Sequence, residues 1–544
     1  MSPRSASPRS TRPRWGTRSN AEARRRQAVR VGVPACHAWL SDGVRKRGSR
    51  SSVLKSQVSA ENGFDMVVIG SGPAGEKAAA QAAYFGKRVA VVERAPSPGG
   101  AVVRNAEIPS KTLRETALYI TGFRRRDVYG LGLTLDPEAA VAQLRTRTAH
   151  VVETMTDAVR QNLERHAIEL VLGNARLGPD RTVNVALDDG QERVLRSDVV
   201  LIATGSRPFR PSSIPLDDPD VHDSETVLDI DRPFNSLVVV GGGAVGCEYA
   251  SIFTALGVKV TLVDSGERIL SFLDAEISRL LGQVFSRMGL RLVLGGGRAA
   301  VGRDDNGLVC TLGDGEEIRT DKVLFASGRV GNTEGLGLED AGVEIDARNR
   351  IVVDETFRTT AESIYAAGDV IGPPALASVS MEQGRVAACY ALGIPFKDTV
   401  DPMPPFGVYS VPEAAMVGLT EEGAAAHGID YEVGRAWLAG NARATIAGAE
   451  DGLVKLVFRR DDRKLLGVHV LGDHATELVH QGQAVLNYGG SIDYFIHCTF
   501  NVPTESEAYK YAAYDGLQRL QDGLRFDVAR HRAPRPNSDV RGGG

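Results

Sequence analysis

Two glycine-rich turns, Gly70-Ser71-Gly72-Pro73-Ala74-Gly75 and Gly241-Gly242-Gly243-Ala244-Val245-Gly246, carry the most legible chemistry of this chain. Each follows an apolar, β-branched run, Met66–Ile69 or Leu237–Val240, and each opens an alanine-rich helical stretch. A strand–turn–helix of this kind aims backbone N–H groups and the positive end of a helix at a pyrophosphate, and its glycines let the two backbones approach. An acid follows each turn where a ribose hydroxyl pair is expected: Glu93 ends one strand and Asp264 another. An acid at Asp264 suits a 2′-hydroxyl and repels a 2′-phosphate, so this position favours NAD(H) over NADP(H), with Arg268 as a possible compensating charge. Replacing Asp264 by alanine is accordingly expected to improve NADPH binding. Two such turns about 170 residues apart point to two dinucleotides on one polypeptide, an arrangement suited to electron traffic between a flavin and a nicotinamide.

The elements that must position these turns are readable from periodicity. Met66–Ile69, a helix from Gly75 to Gly86 and a strand from Arg88 make a βαβ unit of about 30 residues. Helices are expected over 109–127 and 138–166, and strands over Val183–Leu187 and Val194–Ile202, the latter stopping at the tight turn Ala203-Thr204-Gly205. A second βαβ unit spans 237–264, with further strands at Arg291–Leu294, Leu308–Leu312 and Lys322–Ala326. A short strand then runs into Gly368-Asp369, and a helix is expected over 376–391. Pro402-Met403-Pro404-Pro405 reads as a linker, and the segment 406–525 mixes strands and helices as an α+β domain.

Composition narrows the class. The 544 residues suffice for three or four domains and are 42% hydrophobic, with a mean hydropathy of −0.14. No apolar run approaches the roughly 18 residues of a membrane span, so no membrane partner is expected. The net charge of −4 is uneven: residues 1–62 carry +11 and the remainder −15. An acidic body has no global attraction to nucleic acid. The basic leader reads as a disordered extension, with an organelle transit peptide or an RNA- or membrane-binding arm as alternatives. The segment 526–544 is also expected to be disordered. Cys36, Cys247, Cys310, Cys389 and Cys498 form no CxxC pair, which argues against a disulfide framework and fits a reducing, cytoplasmic setting. No metal site is expected, since no His/Asp/Glu cluster has ligand spacing. His480, His497 and Cys498 read as packed residues without a chemical role.

In this order the motifs resemble the pyridine nucleotide–disulfide oxidoreductase superfamily over about residues 63–525. The resemblance implies an α/β fold of two Rossmann-like dinucleotide-binding domains plus a C-terminal α+β dimerisation domain, acting as a homodimer. It implies an FAD-binding domain in two parts (63–206 and 328–402), an NAD(P)-binding domain (207–327) and an interface domain (403–525). Gly70, Gly72, Pro73, Ala74, Gly75 and Glu93 then resemble the FAD fingerprint, with Gly99, Gly100, Val102, Lys111, Thr204 and Gly205 as further FAD contacts. Gly241, Gly243, Gly246 and Asp264 resemble the nicotinamide nucleotide site. Asp369, after Gly368, resembles the aspartate that holds the ribityl chain, and the helix from Ala377 aims its dipole at the flavin pyrimidine.

One departure is informative. Thiol-using members place two cysteines between a Gly-Gly pair and Pro-Ser-Lys, and those positions here are Val102 and Glu107. They also carry a histidine base before Pro-Thr, and here Val502 stands before Pro503-Thr504, leaving Glu507 without that partner. Dithiol exchange needs a thiolate and a proton donor for the leaving thiol, and neither is present. The remaining motifs, including Lys111-Thr112-Leu113-Arg114 and Gly246-Cys247-Glu248-Tyr249, resemble the soluble pyridine nucleotide transhydrogenases. That implies hydride transfer between NADPH and NAD+ through FAD, in ping-pong fashion, with Lys111 and Glu248 as a polar pair beside the flavin. A diaphorase or quinone reductase, and a catalytically silent flavoprotein serving as sensor or assembly partner, are the alternatives.

Overall fold

The computed structural model describes residues 63–122, 128–130, 136–296 and 299–520 of the chain. The expectations for 1–62 and 526–544 lie outside the described residues. The chain opens with β1 (Phe64–Ile69), α1 (Pro73–Tyr84) and β2 (Val89–Glu93), and β1 and β2 run parallel with Ile69 opposite Val92. Both strands are apolar runs because both sheet faces are covered: Met66, Val68 and Val91 pack toward α1, and Val67, Ile69 and Val92 toward the other side. A fully buried aliphatic side chain is worth about 1.5–3 kcal/mol, so these strands fix the register that ends each of them beside a turn.

Next come α2 (Gly100–Arg104), α3 (Glu107–Thr121), α4 (Pro137–Arg165), β3 (Glu169–Leu172), the hairpin strands β4 (Asn174–Leu177) and β5 (Thr182–Ala186), and β6 (Glu192–Ile202). The first sheet runs in the order β3-β2-β1-β6-β5-β4. The expected helix over 109–127 starts two residues earlier and ends at Thr121, where Gly122 caps it in a left-handed conformation (φ +56°); positions 123–127 lie outside the described residues.

After β7 (Ser206–Pro208) and β8 (Val221–Asp223), the second unit holds β9 (Ser236–Val240), α5 (Ala244–Ala255), β10 (Lys259–Asp264), α6 (Ala275–Arg287) and β11 (Arg291–Leu294). An antiparallel sheet of β12 (Ala300–Asp304), β13 (Gly307–Thr311) and β14 (Glu317–Thr320) follows, then β15 (Lys322–Phe325). The second parallel sheet has the order β11-β10-β9-β15-β8. The sequence reading assigned no element between Asp264 and Arg291, yet α6 is well specified. Asp274 caps it by accepting from Glu276 and Ile277 N–H groups, and Ile277, Leu281, Val284 and Phe285 are its buried stripe.

The chain then returns to the first sheet. β16 (Arg329–Gly331) pairs with β7, and β17 (Ile364–Ala366) lies parallel to β6. α7 (Ala377–Ala391) crosses α1 at close range: a Cβ on Gly384 would sit 2.1 Å from the Ala74 carbonyl oxygen. The last unit is a five-stranded antiparallel sheet, β18 (Phe406–Val408), β19 (Glu413–Gly418), β20 (Tyr431–Trp437), β21 (Leu453–Arg459) and β22 (Leu465–Gly472), in the order β18-β19-β22-β21-β20. α8 (Ala475–Asn487) and α9 (Ala508–Leu520) pack on it through Val479, Leu486, Tyr509 and Ala512. The architecture is α/β, two Rossmann-like sheets followed by an α+β unit.

Candidate functional site

The first glycine turn is shaped by backbone contact. Gly70 has φ +106°, and a Cβ there would lie 2.3 Å from the Ala203 carbonyl oxygen, while one on Gly75 would lie 1.9 Å from the Gly70 oxygen. Across the turn a Cβ on Gly100 would meet Gly72 Cα at 2.6 Å, so two backbones line one wall without side chains between them. Gly72 caps α1 with no side-chain hydrogen bond, which leaves the first N–H groups of the helix free for an anion. Glu93 is buried beside them. Its Oε2 accepts from Ser71 N–H (3.0 Å) and the Ser71 hydroxyl (2.6 Å), and its Oε1 from Ala95 N–H (2.9 Å). Ser71 Oγ also accepts from Gly99 N–H at 3.0 Å, so this serine, which sequence reasoning passed over, ties the turn, the acid and α2 together. A carboxylate oxygen has more than one acceptor site, so Glu93 retains capacity for a hydroxyl donor.

A cleft of about 610 Å³ opens from this turn. Gly70, Gly72, Pro73, Ala74 and Glu93 line it at one end, and Val102, Lys111, Thr204, Gly205, Glu248, Gly368, Asp369 and Ala377 line the rest. Thr204 and Gly205 are held by Asn332, which donates to the Thr204 carbonyl (2.9 Å) while Thr204 Oγ1 donates to the Asn332 carbonyl (2.7 Å). Asp369 accepts from the Ser206 hydroxyl (2.8 Å) and the Ser380 hydroxyl (3.2 Å), the latter on the first turn of α7. Leu376 caps α7 without a side-chain hydrogen bond, so a second open helix N-terminus faces the cleft.

In the cleft, side chains from three units meet. Lys111 Nζ on α3 lies 2.8 Å from Glu248 Oε2 on α5, and Glu248 Oε1 accepts the Tyr409 N–H (2.9 Å) just beyond β18. Lys111 Nζ also sits 5.1 Å from the centroid of the Tyr409 ring. Nearby, Arg114 on α3 is buried, donates to the Ser410 carbonyl (3.0 Å) and lies 3.3 Å from Glu413. One turn before Lys111, Glu107 also lines the cleft. Burial pushes its carboxyl group above the ordinary carboxylate range; Lys111 opposes the shift, and Asp369 and Glu248 add to it.

The second turn repeats the first. A Cβ on Gly246 would lie 1.8 Å from the Gly241 oxygen, and Gly243 caps α5 without a side-chain hydrogen bond. Asp264 plays the part of Glu93: its Oδ2 accepts from Gly242 N–H (2.5 Å) and its Oδ1 from Gly266 N–H (2.7 Å). Gly241, Gly243, Gly246 and Asp264 lie outside the cleft, and only Ala244, Val245, Glu248 and Tyr249 of α5 line its edge. Arg268 is turned away, donating to the Ser271 carbonyl at 2.8 Å and pairing with Glu422.

His480 and His497, expected to be packed, are exposed and do not line the cleft, and Cys498, also expected to be packed, is only half-buried. Cys247, Cys310, Cys389 and Cys498 are all unpaired, and Val502 is 62% exposed. Among the described residues no group of His, Cys, Asp and Glu side chains is arranged to hold a metal ion, and no helix is long and apolar enough to cross a membrane.

With two βαβ glycine turns on the page, and a cleft that runs from the first to the edge of α5, the class follows from comparison. Residues 64–384 match the family described as pyridine nucleotide-disulphide oxidoreductase, and residues 404–513 match its dimerisation domain. The chain belongs to the pyridine nucleotide-disulphide oxidoreductase family. It is 44% identical to a soluble pyridine nucleotide transhydrogenase of Mycobacterium bovis, over 84% of this chain and 98% of the relative. It is 40% identical to the soluble pyridine nucleotide transhydrogenase of Pseudomonas putida, over 84% and 99%. Among solved structures it is similar to LpdA from Mycobacterium tuberculosis, with a TM-score of 0.76 and 30% identity over 82% of this chain and 99% of that one. It is also similar to the HOCl-induced flavoprotein disulfide reductase RclA from Escherichia coli, with a TM-score of 0.75 and 25% identity over 83% and 99%.

Proposed function

We propose that this chain is an FAD-dependent transhydrogenase that passes hydride between NADPH and NAD+ without a redox-active disulfide. The observation that carries the reading is the pair of substitutions at the thiol positions, Val102 and Glu107, beside a retained Lys111–Glu248 ion pair at 2.8 Å. The likeness to two named transhydrogenases supports it. Features of the cleft fit FAD: bare backbone at Gly70 and Gly72 along its wall, two uncapped helix N-termini, and a buried Asn105 Oδ1 with no hydrogen-bond partner. When bound, the flavin supplies a ring that accepts and returns a hydride.

The chain's own residues then have defined tasks. The turn at Gly70–Gly75 and the open end of α1 hold a pyrophosphate, and Glu93 and Asp369 accept from sugar and ribityl hydroxyls. Lys111, oriented by Glu248 and Tyr409, presents a positive charge to the edge where negative charge develops. The turn at Gly241–Gly246, braced by Asp264, holds the nicotinamide nucleotides one after the other, giving ping-pong kinetics. In this reading residues 63–206 and 328–402 form the FAD-binding domain, 207–327 the NAD(P)-binding domain and 403–525 the interface of a homodimer, working in the cytoplasm.

Nucleotide turnover tests it. NADPH should reduce a spectrally distinct analogue of NAD+ on the protein with no other acceptor present. Rapid reduction of a quinone with no reduction of that analogue would replace this reading with a quinone reductase.

A further inference from the structure

Glu107 is a carboxyl group at the first position of a 15-residue helix, inside the cleft, at a position where thiol-using members of the family carry a cysteine. Its surroundings are unusual for an ionised acid. Lys111, one turn along, is already paired with Glu248 at 2.8 Å. Arg329, from β16, donates to the Ser206 hydroxyl and carbonyl, both at 2.8 Å, and lies 4.0 Å from Glu225. Arg104, at the end of α2, donates to the Gly100 carbonyl at 3.3 Å. Asp369 and Glu248, which line the same cleft, add negative charge. No hydrogen bond to the Glu107 carboxyl group is found among the described residues. The cleft therefore sets partial burial and two acids, Asp369 and Glu248, against the charges of Lys111 and Arg329, each of which is already hydrogen-bonded to another partner, and burial prevails. That environment already raises its proton affinity. A further negative charge arriving in the same cleft raises it again, because the two ionisations are coupled.

We propose that Glu107 is the proton-coupling residue of the bound flavin: its carboxyl group takes up a proton when the flavin is reduced and releases it when the flavin is reoxidised. In the forward half, the C4–H bond of the reduced nicotinamide breaks and its hydrogen leaves with the electron pair, forming a bond at the flavin. The nicotinamide is oxidised, the flavin is reduced by two electrons and gains one negative charge, and the Glu107 carboxylate forms an O–H bond with a proton from solvent. In the return half, the hydrogen and electron pair form the C4–H bond of the second nicotinamide, and the Glu107 proton returns to solvent. The complete cycle consumes no net proton. The inference rests on the flavin-binding reading above but not on the identity of the final acceptor.

The test is the pH dependence of the flavin midpoint potential, followed by absorbance on the holoprotein from about pH 5 to pH 9, a range chosen to bracket ordinary and raised carboxyl pKa values. Within the window where Glu107 exchanges its proton, the wild-type potential should fall more steeply than that of Glu107→Gln. The extra proton makes the reduction equilibrium tenfold more pH-sensitive per unit, about 30 mV per pH unit for a two-electron couple. Glu107→Gln and Glu107→Leu should both lack the steep segment. Reduced-minus-oxidised infrared spectra should show a carboxylic acid band in the wild type that Glu107→Gln removes. A wild type without a steep segment, or variants that keep it, would overturn the inference. A colourless protein would overturn the functional reading and this inference with it. A steep segment in a flavoprotein that passes no hydride to a second nucleotide would uphold Glu107 while removing the transhydrogenase reading.

Discussion

At the scale of single residues, the charged pair Lys111–Glu248 is the centre of the proposed chemistry. Glu248 is buried and uses both oxygens, one on Lys111 and one on the Tyr409 N–H. Removing the ammonium leaves a buried carboxylate with one donor, while removing the carboxylate charge leaves both donors with a neutral acceptor. Lys111→Met is therefore expected to slow reduction of the flavin by about 10²-fold, the usual scale for losing one preorganised donor. Glu248→Gln should cost less, because the amide oxygen can still accept from Tyr409. Stopped-flow absorbance on the two variants checks both, and equal rates in Lys111→Met and wild type would confine the pair to a structural role. The sequence pointed to this pair through family resemblance, since nothing in spacing places position 111 beside position 248. It did not reveal Ser71, whose role arises only when the chain brings Glu93 and Gly99 to it.

At the scale of elements, the two glycine turns are separable devices on separate sheets. A Cβ on Gly75 would meet the Gly70 oxygen at 1.9 Å, and one on Gly246 the Gly241 oxygen at 1.8 Å. Overpacking of this kind costs about 1–3 kcal/mol locally. Gly75→Ala is expected to weaken flavin retention. Gly246→Ala is expected to keep the flavin and lose reduction by NADH and NADPH. Absorbance of the purified variants with and without nucleotide measures both, and a Gly246→Ala protein reduced normally would place the nucleotide elsewhere. Both βαβ units were legible because strand, turn and helix all declare themselves locally. The helix Ala275–Arg287 was not, although its Asp274 cap and its Ile277–Leu281–Val284 spacing both stand in the sequence. The strands Phe406–Val408, Glu413–Gly418 and Tyr431–Trp437 were also missed. Phe406–Val408 is short, Glu413–Gly418 is alanine-rich and Tyr431–Trp437 carries Gly434 and Arg435 at its centre, so pairing defines them: the first on the second, the second on Leu465–Gly472 and the third on Leu453–Arg459. The second acid also reads differently in place. Asp264 braces Gly242 and Gly266, so Asp264→Ala loosens the turn as well as removing a charge.

At the scale of the whole molecule, a buried charge network fastens the second parallel sheet to the C-terminal unit. Lys455 on β21 is 1% exposed and lies 2.8 Å from Asp274, the fully buried cap of α6, and also contacts Glu276 and Glu421. Breaking a buried pair by removing one partner costs about 3–5 kcal/mol, so Lys455→Met should lower the melting temperature sharply while leaving the flavin cleft chemically intact. Thermal unfolding monitored by circular dichroism checks this, and an unchanged melting temperature would contradict the assigned role of the network. The C-terminal unit reaches the cleft by a separate set of contacts: the Tyr409 N–H donates to Glu248 on α5, and the Ser410 carbonyl accepts from Arg114 on α3. The central claim, a flavin that relays hydride between nucleotides without sulfur, is most directly tested by anaerobic double-mixing stopped-flow on the wild-type protein. NADPH should bleach the visible absorbance of the oxidised flavin, and NAD+ added afterwards should restore it within the turnover time. Bleaching that NAD+ cannot reverse, or no bleaching by either reduced nucleotide, would contradict the account.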